Sequence, residues 1–260
     1  MSQKLYSTKI SENTMENRQN KFYSSISKYY SEIFPFNPAQ LQFVNRSAKT
    51  LSGKNILDIG CATGELAYSL AEAGAKVTGI DLNEDLLAQA KKLKAHPGIH
   101  FQKGDMLRLK ADFQTDSFDI VVCFGNTLAH LLSLELIRQM TDGVYSALKP
   151  GGVFLLQILN YNYIFSEPVT RLPAIETENI KFTRNYHFKK DSPILRFQTD
   201  LFLKKEGITI SNDTNLLGLQ SNELNEILNA TGFHGIELFS NFAEGEYGGK
   251  HLPLVARAQK

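Results

Sequence analysis

The sequence predicts an α/β fold in three layers, with a mainly parallel sheet between helices, helices laid before it and a small antiparallel meander inserted into it. Three observations lead there. Between Asn55 and Asn160 short apolar runs alternate with helical stretches, the pattern that right-handed strand–helix–strand crossovers produce. Those runs are dominated by apolar residues, as strands covered on both faces must be. From Ile180 to Leu217 apolar residues instead alternate with polar ones between turn residues, which suits an antiparallel sheet.

Taken in order, residues from about Ser11 to Thr50 read as helices, with apolar spacing in SISKYYSEIFPFNPAQLQFV and Pro35 and Pro38 separating two segments. NILDIGCATG, Asn55–Gly64, is a first strand ending in a glycine-bordered turn; a helix follows from about Glu65 to Ala73, with Gly74 as its C-cap. VTGID, Val77–Asp81, is the second strand, and LNEDLLAQAKKLKA the second helix, stopped by Pro97. Ile99 and Phe101 mark a third strand. FDIVVCFGN, Phe118–Asn126, is a fourth, leaving its carboxyl end at Gly125 and Asn126. In LKPGGVFLLQILN, Leu148–Asn160, Pro-Gly-Gly ends one helix before a fifth strand. After the meander, whose turns are Asp-Ser-Pro and Glu-Gly, Ser221 reads as the cap of the helix NELNEILNAT, which Gly232 ends. Strands around Gly235–Phe239 and Leu252–Ala258 complete the sheet.

Composition excludes several classes of function. At 260 residues and 42% apolar content the chain can bury a full core with room for an elaboration. No run approaches the roughly 20 apolar residues that cross a bilayer, and the polar start SQKLYSTKISENTMENRQNK has no secretory character. Cys61 and Cys123 are too few for a disulfide framework and read as small buried fillers; with no ligand spacing around them, no metal site is expected. These features fit a cytoplasmic protein. With 28 basic and 27 acidic residues, net +1, no broad field draws it to nucleic acid.

The turn at Gly60–Gly64 carries the chemistry. Glycine admits positive φ and close approach of a ligand, and the helix behind it offers free N–H groups. Asp81 lies 23 positions beyond Asp58, an offset that places an acid to accept hydrogen bonds from a ribose. A dinucleotide turn wants G-x-G-x-x-G, but Ala62 takes the middle place and Glu65 the last. A carboxylate at Asp58 also suits a cationic or zwitterionic ligand better than a pyrophosphate.

ILDIGCATG resembles the first motif of class I S-adenosylmethionine-dependent methyltransferases, with Ala62 at the place of a third glycine. The resemblance implies a Rossmann-like methyltransferase fold, S-adenosyl-L-methionine as cofactor and S-adenosyl-L-homocysteine as product. It implies cofactor contacts from Asp58, Gly60, Cys61, Ala62 and Gly64, and from Asp81 and Leu82. In QKGDML it places Asp105 at the adenine amino group, Met106 beside the ring and Gly104 before them; Asp105 as a plain turn aspartate is the alternative. Within CFGNTLAHL and LNYNYI the chain resembles glycine N-methyltransferase and its small-molecule relatives. That likeness puts Phe124, Gly125, Thr127 and His130 near the cofactor, and Asn126 and Asn160 near the acceptor. Where the glycine enzyme has a carboxylate-binding arginine, this chain has Leu159, so the chemistry carries over and glycine as substrate does not.

Tyr23 and Tyr30 are candidates to close over the cofactor, with aromatic packing as the alternative. Residues 1–50 would then be a lid region, 51–160 and 218–260 the methyltransferase domain, and 161–217 a cover for substrate, since ligands bind outside the carboxyl ends of such sheets. On the cover, Arg184, Tyr186, His187, Arg196 and Gln198 are candidate substrate contacts. No catalytic residue is demanded for an amine acceptor; Asn126 and His130 are the candidates, with a structural residue at the head of a helix as the alternative for His130. The expected activity is methyl transfer to a small-molecule N or O nucleophile by a monomer or homodimer, without nucleic acid or membrane. A macromolecule methyltransferase or an NAD-type nucleotide-binding protein are the alternatives.

Overall fold

The computed structural model describes residues 20–189 and 191–260. The first part of the expected N-terminal helices, before residue 20, lies outside the described residues. The strands are β1 (Asn55–Ile59), β2 (Lys76–Asp81), β3 (Ile99–Lys103), β4 (Phe118–Cys123), β5 (Leu148–Leu159), β6 (Arg171–Glu176), β7 (Ile180–Phe188), β8 (Ile194–Leu203), β9 (Ile208–Leu217), β10 (His234–Phe239) and β11 (Pro253–Gln259). The helices are α1 (residues 20–26), α2 (Tyr30–Ile33), α3 (Pro38–Ala48), α4 (Glu65–Glu72), α5 (Glu84–Leu93), α6 (Leu109–Asp112), α7 (Leu134–Ala147), α8 (Tyr161–Ser166) and α9 (Ser221–Thr231).

Seven strands form one sheet in the order β10-β11-β5-β4-β1-β2-β3, parallel from β5 to β3, with β11 antiparallel to both β5 and β10. β6–β7–β8–β9 form a separate antiparallel sheet. The apolar strands explain the layering. Leu57, Val121 and Phe154 project to one face, against Met140, Val144 and Leu228 of α7 and α9, whereas Ile56, Val122 and Leu155 project to the other, against Phe43, Ala67 and Leu70. Alternate residues of one strand thus feed two cores. A third cluster joins Phe22, Ile26 and Ile33 of the N-terminal helices to Ile180, Phe182, Leu201 and Leu203 of the small sheet.

Local signals set most boundaries, with several corrections. Pro35 lies in the break between α2 and α3 as expected, and Pro38 opens α3, where its missing N–H costs nothing and the Asn37 side chain accepts from Ala39 N. Asn83, inside the expected second helix, is the N-cap of α5. Ser221 is not a cap: Gln220 is, in a reciprocal capping box with Glu223. The residue after α4 that closes the helix is Ala73, with Gly74 following at φ +93°. β4 stops at Cys123, short of Asn126. α7 ends at Ala147, so Pro-Gly-Gly falls inside β5, at the irregular start of its pairing with β4. β6 precedes the meander and was not expected. Among the described residues no helix is long and apolar enough to cross a membrane.

Candidate functional site

A cavity of about 660 Å³ opens at the carboxyl ends of β1, β2 and β4, a volume within the ~300–1,000 Å³ typical of small-molecule sites. Its floor is the turn after β1. Gly60 N–H and Cys61 N–H both donate to Ile80 O, at 2.8 and 3.0 Å, folding the chain back over β2. Gly60, Ala62 and Gly64 all have positive φ, of +73°, +47° and +78°. At Gly60 a Cβ would lie 2.6 Å from Thr127 Oγ1, so it is a protein side chain that demands glycine here.

Two of the three acids that line the cavity stand at strand ends. Asp81 accepts from Ala62 N at 2.9 Å and from Asn83 N at 2.8 Å, which ties the turn to the end of β2. Burial pushes its pKa up, and those backbone donors partly offset the rise. Asp58 is buried with no such compensation: desolvation first, and then the charge of Asp81, push it up to about 7. Burial likewise raises the thiols of Cys61 and Cys123, which are therefore inert fillers rather than thiolates.

The N-terminal helices form the opposite wall. Tyr23 OH lies 3.0 Å from His130 Nε2. Burial pushes His130 down to about 4 and Tyr23 up, so both are neutral near pH 7. Asn83 Nδ2 donates to Asn20 O and Ser24 Oγ, both at 3.1 Å, and Ser31 Oγ donates to Glu65 Oε1 at 2.9 Å. Tyr30 completes this wall.

Of the residues singled out in the sequence, the cavity walls include Tyr23, Tyr30, Asp58, Gly60, Cys61 and Ala62. They also include Asp81, Leu82, Gly104, Met106, Phe124 and Gly125, with Thr127 and His130. Six others point elsewhere. Gly64 faces protein, because a Cβ there would meet Phe101 Cζ at 2.5 Å. Asp105 accepts from Leu107 N at 2.8 Å as a turn residue. Asn126, left-handed at φ +67°, accepts from Leu159 N and donates to Tyr161 OH, both at 3.0 Å. Asn160 caps α8 and donates to His251 O. Arg184 donates to Pro173 O with its Nε buried and unpartnered, and Tyr186 is buried against Tyr161 and Leu195. Also in the small sheet, His187 pairs with Gln198 at 2.9 Å, and neither forms part of the cavity wall; nor does Arg196.

Sequence reasoning missed several walls. Asn83 had a signal, an N-cap amide two positions after the acid. Gln157 had another, a lone amide in an apolar strand; its Oε1 accepts from Gly125 N at 2.8 Å. Phe36 and Gln40, and Phe242 with its neighbours 241 and 243, had none, because they reach the site only through tertiary folding. Glu244, held by Arg46 at 3.3 Å and by Arg257 at 3.0 Å, fixes that last loop over the opening.

Residues 56–152 match a family model described as "Methyltransferase domain". A methyltransferase-named protein of Geobacillus sp. (strain WCH70) is 34% identical over 157 residues, covering 56% of this chain and 62% of the relative. The ubiquinone biosynthesis O-methyltransferase of Nitrosospira multiformis is 32% identical over 148 residues, covering 53% and 57%. The chain thus spans less than two thirds of either relative's length. A crystal structure of an S-adenosylmethionine-dependent methyltransferase from Clostridium acetobutylicum superposes with TM-score 0.75 at 15% identity, over 93% of this chain and 98% of that one. The fold is the Rossmann-like fold that such methyltransferases have.

Proposed function

We propose that the chain transfers a methyl group from S-adenosylmethionine to a nitrogen or oxygen of a small-molecule acceptor. One observation carries the reading: two carboxylates, buried Asp58 and half-buried Asp81, stand at the ends of adjacent parallel strands and face one cavity across a left-handed turn. The donor set fits the cofactor. Asp58, desolvated and without a compensating hydrogen bond, is matched to the ammonium of an amino-acid tail. Asp81 is matched to ribose hydroxyls. Leu82, Gly104 and Met106 offer an apolar slot for a purine, and Gly60, Cys61, Ala62, Tyr23 and Tyr30 enclose the tail.

When bound, the cofactor supplies an already activated methyl group. The protein's task is orientation and exclusion of water. Neutral His130, paired with Tyr23, adds no positive charge to a cavity that would receive a cationic cofactor. The residues enclosing the cavity would hold an acceptor in line with that methyl group and keep water from it. The O-methyltransferase likeness supports a small acceptor, and the fold likeness supports the cofactor.

Thermal stabilisation by S-adenosylhomocysteine, exceeding that by NAD, is the expected result; a larger shift with NAD refutes the reading. Label from methyl-labelled cofactor should then enter a metabolite extract and not RNA or protein.

A further inference from the structure

The cavity continues past the cofactor half, and its walls change character there. Beyond Gly125 it reaches the end of β5 and the start of β11, where Phe36, Phe124 and Phe242 present rings and Gln40 and Gln157 present amides. Phe124 and Phe242 stack edge-on at 5.0 Å between centroids, with Phe43 behind them at 6.4 and 5.9 Å. Both ends of Gln157 are used, by Gly125 N and by Ile158 O, so this wall is fixed before any ligand arrives. The charged side chains lining the whole cavity are Asp58, Glu65 and Asp81, all acids, and among the described residues neither a lysine nor an arginine lines it. Glu65 is already neutralised by Lys94 at 2.6 Å.

We propose that this second half receives an acceptor with a flat aromatic body that is uncharged or cationic, and that it rejects carboxylates and phosphates. The inference rests on the methyltransferase reading above. An anion entering here gives up its hydration and finds no cation, a cost that burial makes large. The two unpaired acids are matched to a cationic cofactor, which leaves no surplus positive charge for the acceptor. Rings gain offset and edge contacts with Phe124 and Phe242, and the Gln40 amide gives the polar substituent a direction.

Three probes share one ring and differ in charge: 4-methylphenol, tyramine and 4-hydroxyphenylacetate. Each is titrated calorimetrically into the full chain saturated with S-adenosylhomocysteine. The first two should bind at least about ten-fold more tightly than the third, and Gln40→Arg should narrow that gap by supplying the missing cation. Equal or tighter binding of 4-hydroxyphenylacetate to the parent protein overturns the proposal. So does failure of all three to bind protein that has taken up S-adenosylhomocysteine. Failure to take up S-adenosylhomocysteine itself removes the underlying methyltransferase reading.

Discussion

Asp58 carries an unusual charge equilibrium, and the sign of its effect can be worked out. Its carboxyl titrates near 3.8 in an ordinary setting and at about 7 in the fold. Between those values the native state holds a proton that the unfolded chain has lost, so stability falls as pH rises from about 4 to about 7. Asp58→Asn should therefore unfold at a higher temperature than the parent near pH 8 and at a similar one near pH 4, as read by scanning calorimetry without ligand. Cofactor binding has the opposite slope, because the ammonium needs the ionised form. Affinity for S-adenosylmethionine should rise on the order of twenty-fold from about pH 5.5 to about 7.5, and stay flat in Asp58→Asn; a flat parent contradicts the pairing. Asp81→Asn should weaken the same binding by roughly 1–3 kcal/mol. Asp58 and Asp81 were legible because strand ends and a fixed offset announce them. Asp105, Asn126 and Asn160 accept from backbone N–H groups in this structure, a use the sequence does not show because short polar side chains serve such groups as readily as ligands.

At the level of elements, the turn between β4 and α7 joins the two halves of the cavity. Asn126 holds it from behind, bonded to the end of β5 and to Tyr161 of α8. Asn126→Ala places a Cβ-bearing, non-bonding residue at positive φ and orphans Leu159 N, so a loss of about 1–3 kcal/mol in denaturant unfolding is expected. Because Asn126 touches neither carboxylate, turnover should drop while S-adenosylhomocysteine affinity holds; equal losses in both would show the damage to be general. Gly60→Val acts on the same turn from the other side, driving into Thr127, and should abolish cofactor binding outright. The strands flanking this turn were readable because each is an apolar run with a break at its end. β6 was not, since Pro173 interrupts it and its pairing with β7 shifts between Leu172 and Ile175. Its strand character comes from its neighbour rather than from its own pattern.

Across the whole molecule, the central sheet was legible from alternation alone, whereas the union of its two additions was not. α1 and α2 are far in sequence from β7 and β8, yet Ile26 and Ile33 are fully enclosed with Phe182 and Leu201 in a core of their own. Amphipathic spacing shows that a helix has an apolar face and does not say which sheet will cover it. Since Tyr23 on this assembly also meets His130 beneath it, the N-terminal helices and the small sheet should open and close over the cavity as one body. Ile26→Ala tests this, with a cavity cost of about 2–5 kcal/mol confined to the shared core. Amide exchange should accelerate in α1, β7 and β8 while β1 and β4 keep their protection, and S-adenosylhomocysteine should dissociate faster. Leu57→Ala, in the central core, should instead speed exchange everywhere together. If Ile26→Ala raised exchange in α1 but left β7 and β8 as slow as before, the helices would be moving without the sheet, and the cavity would be gated by the N-terminal segment alone.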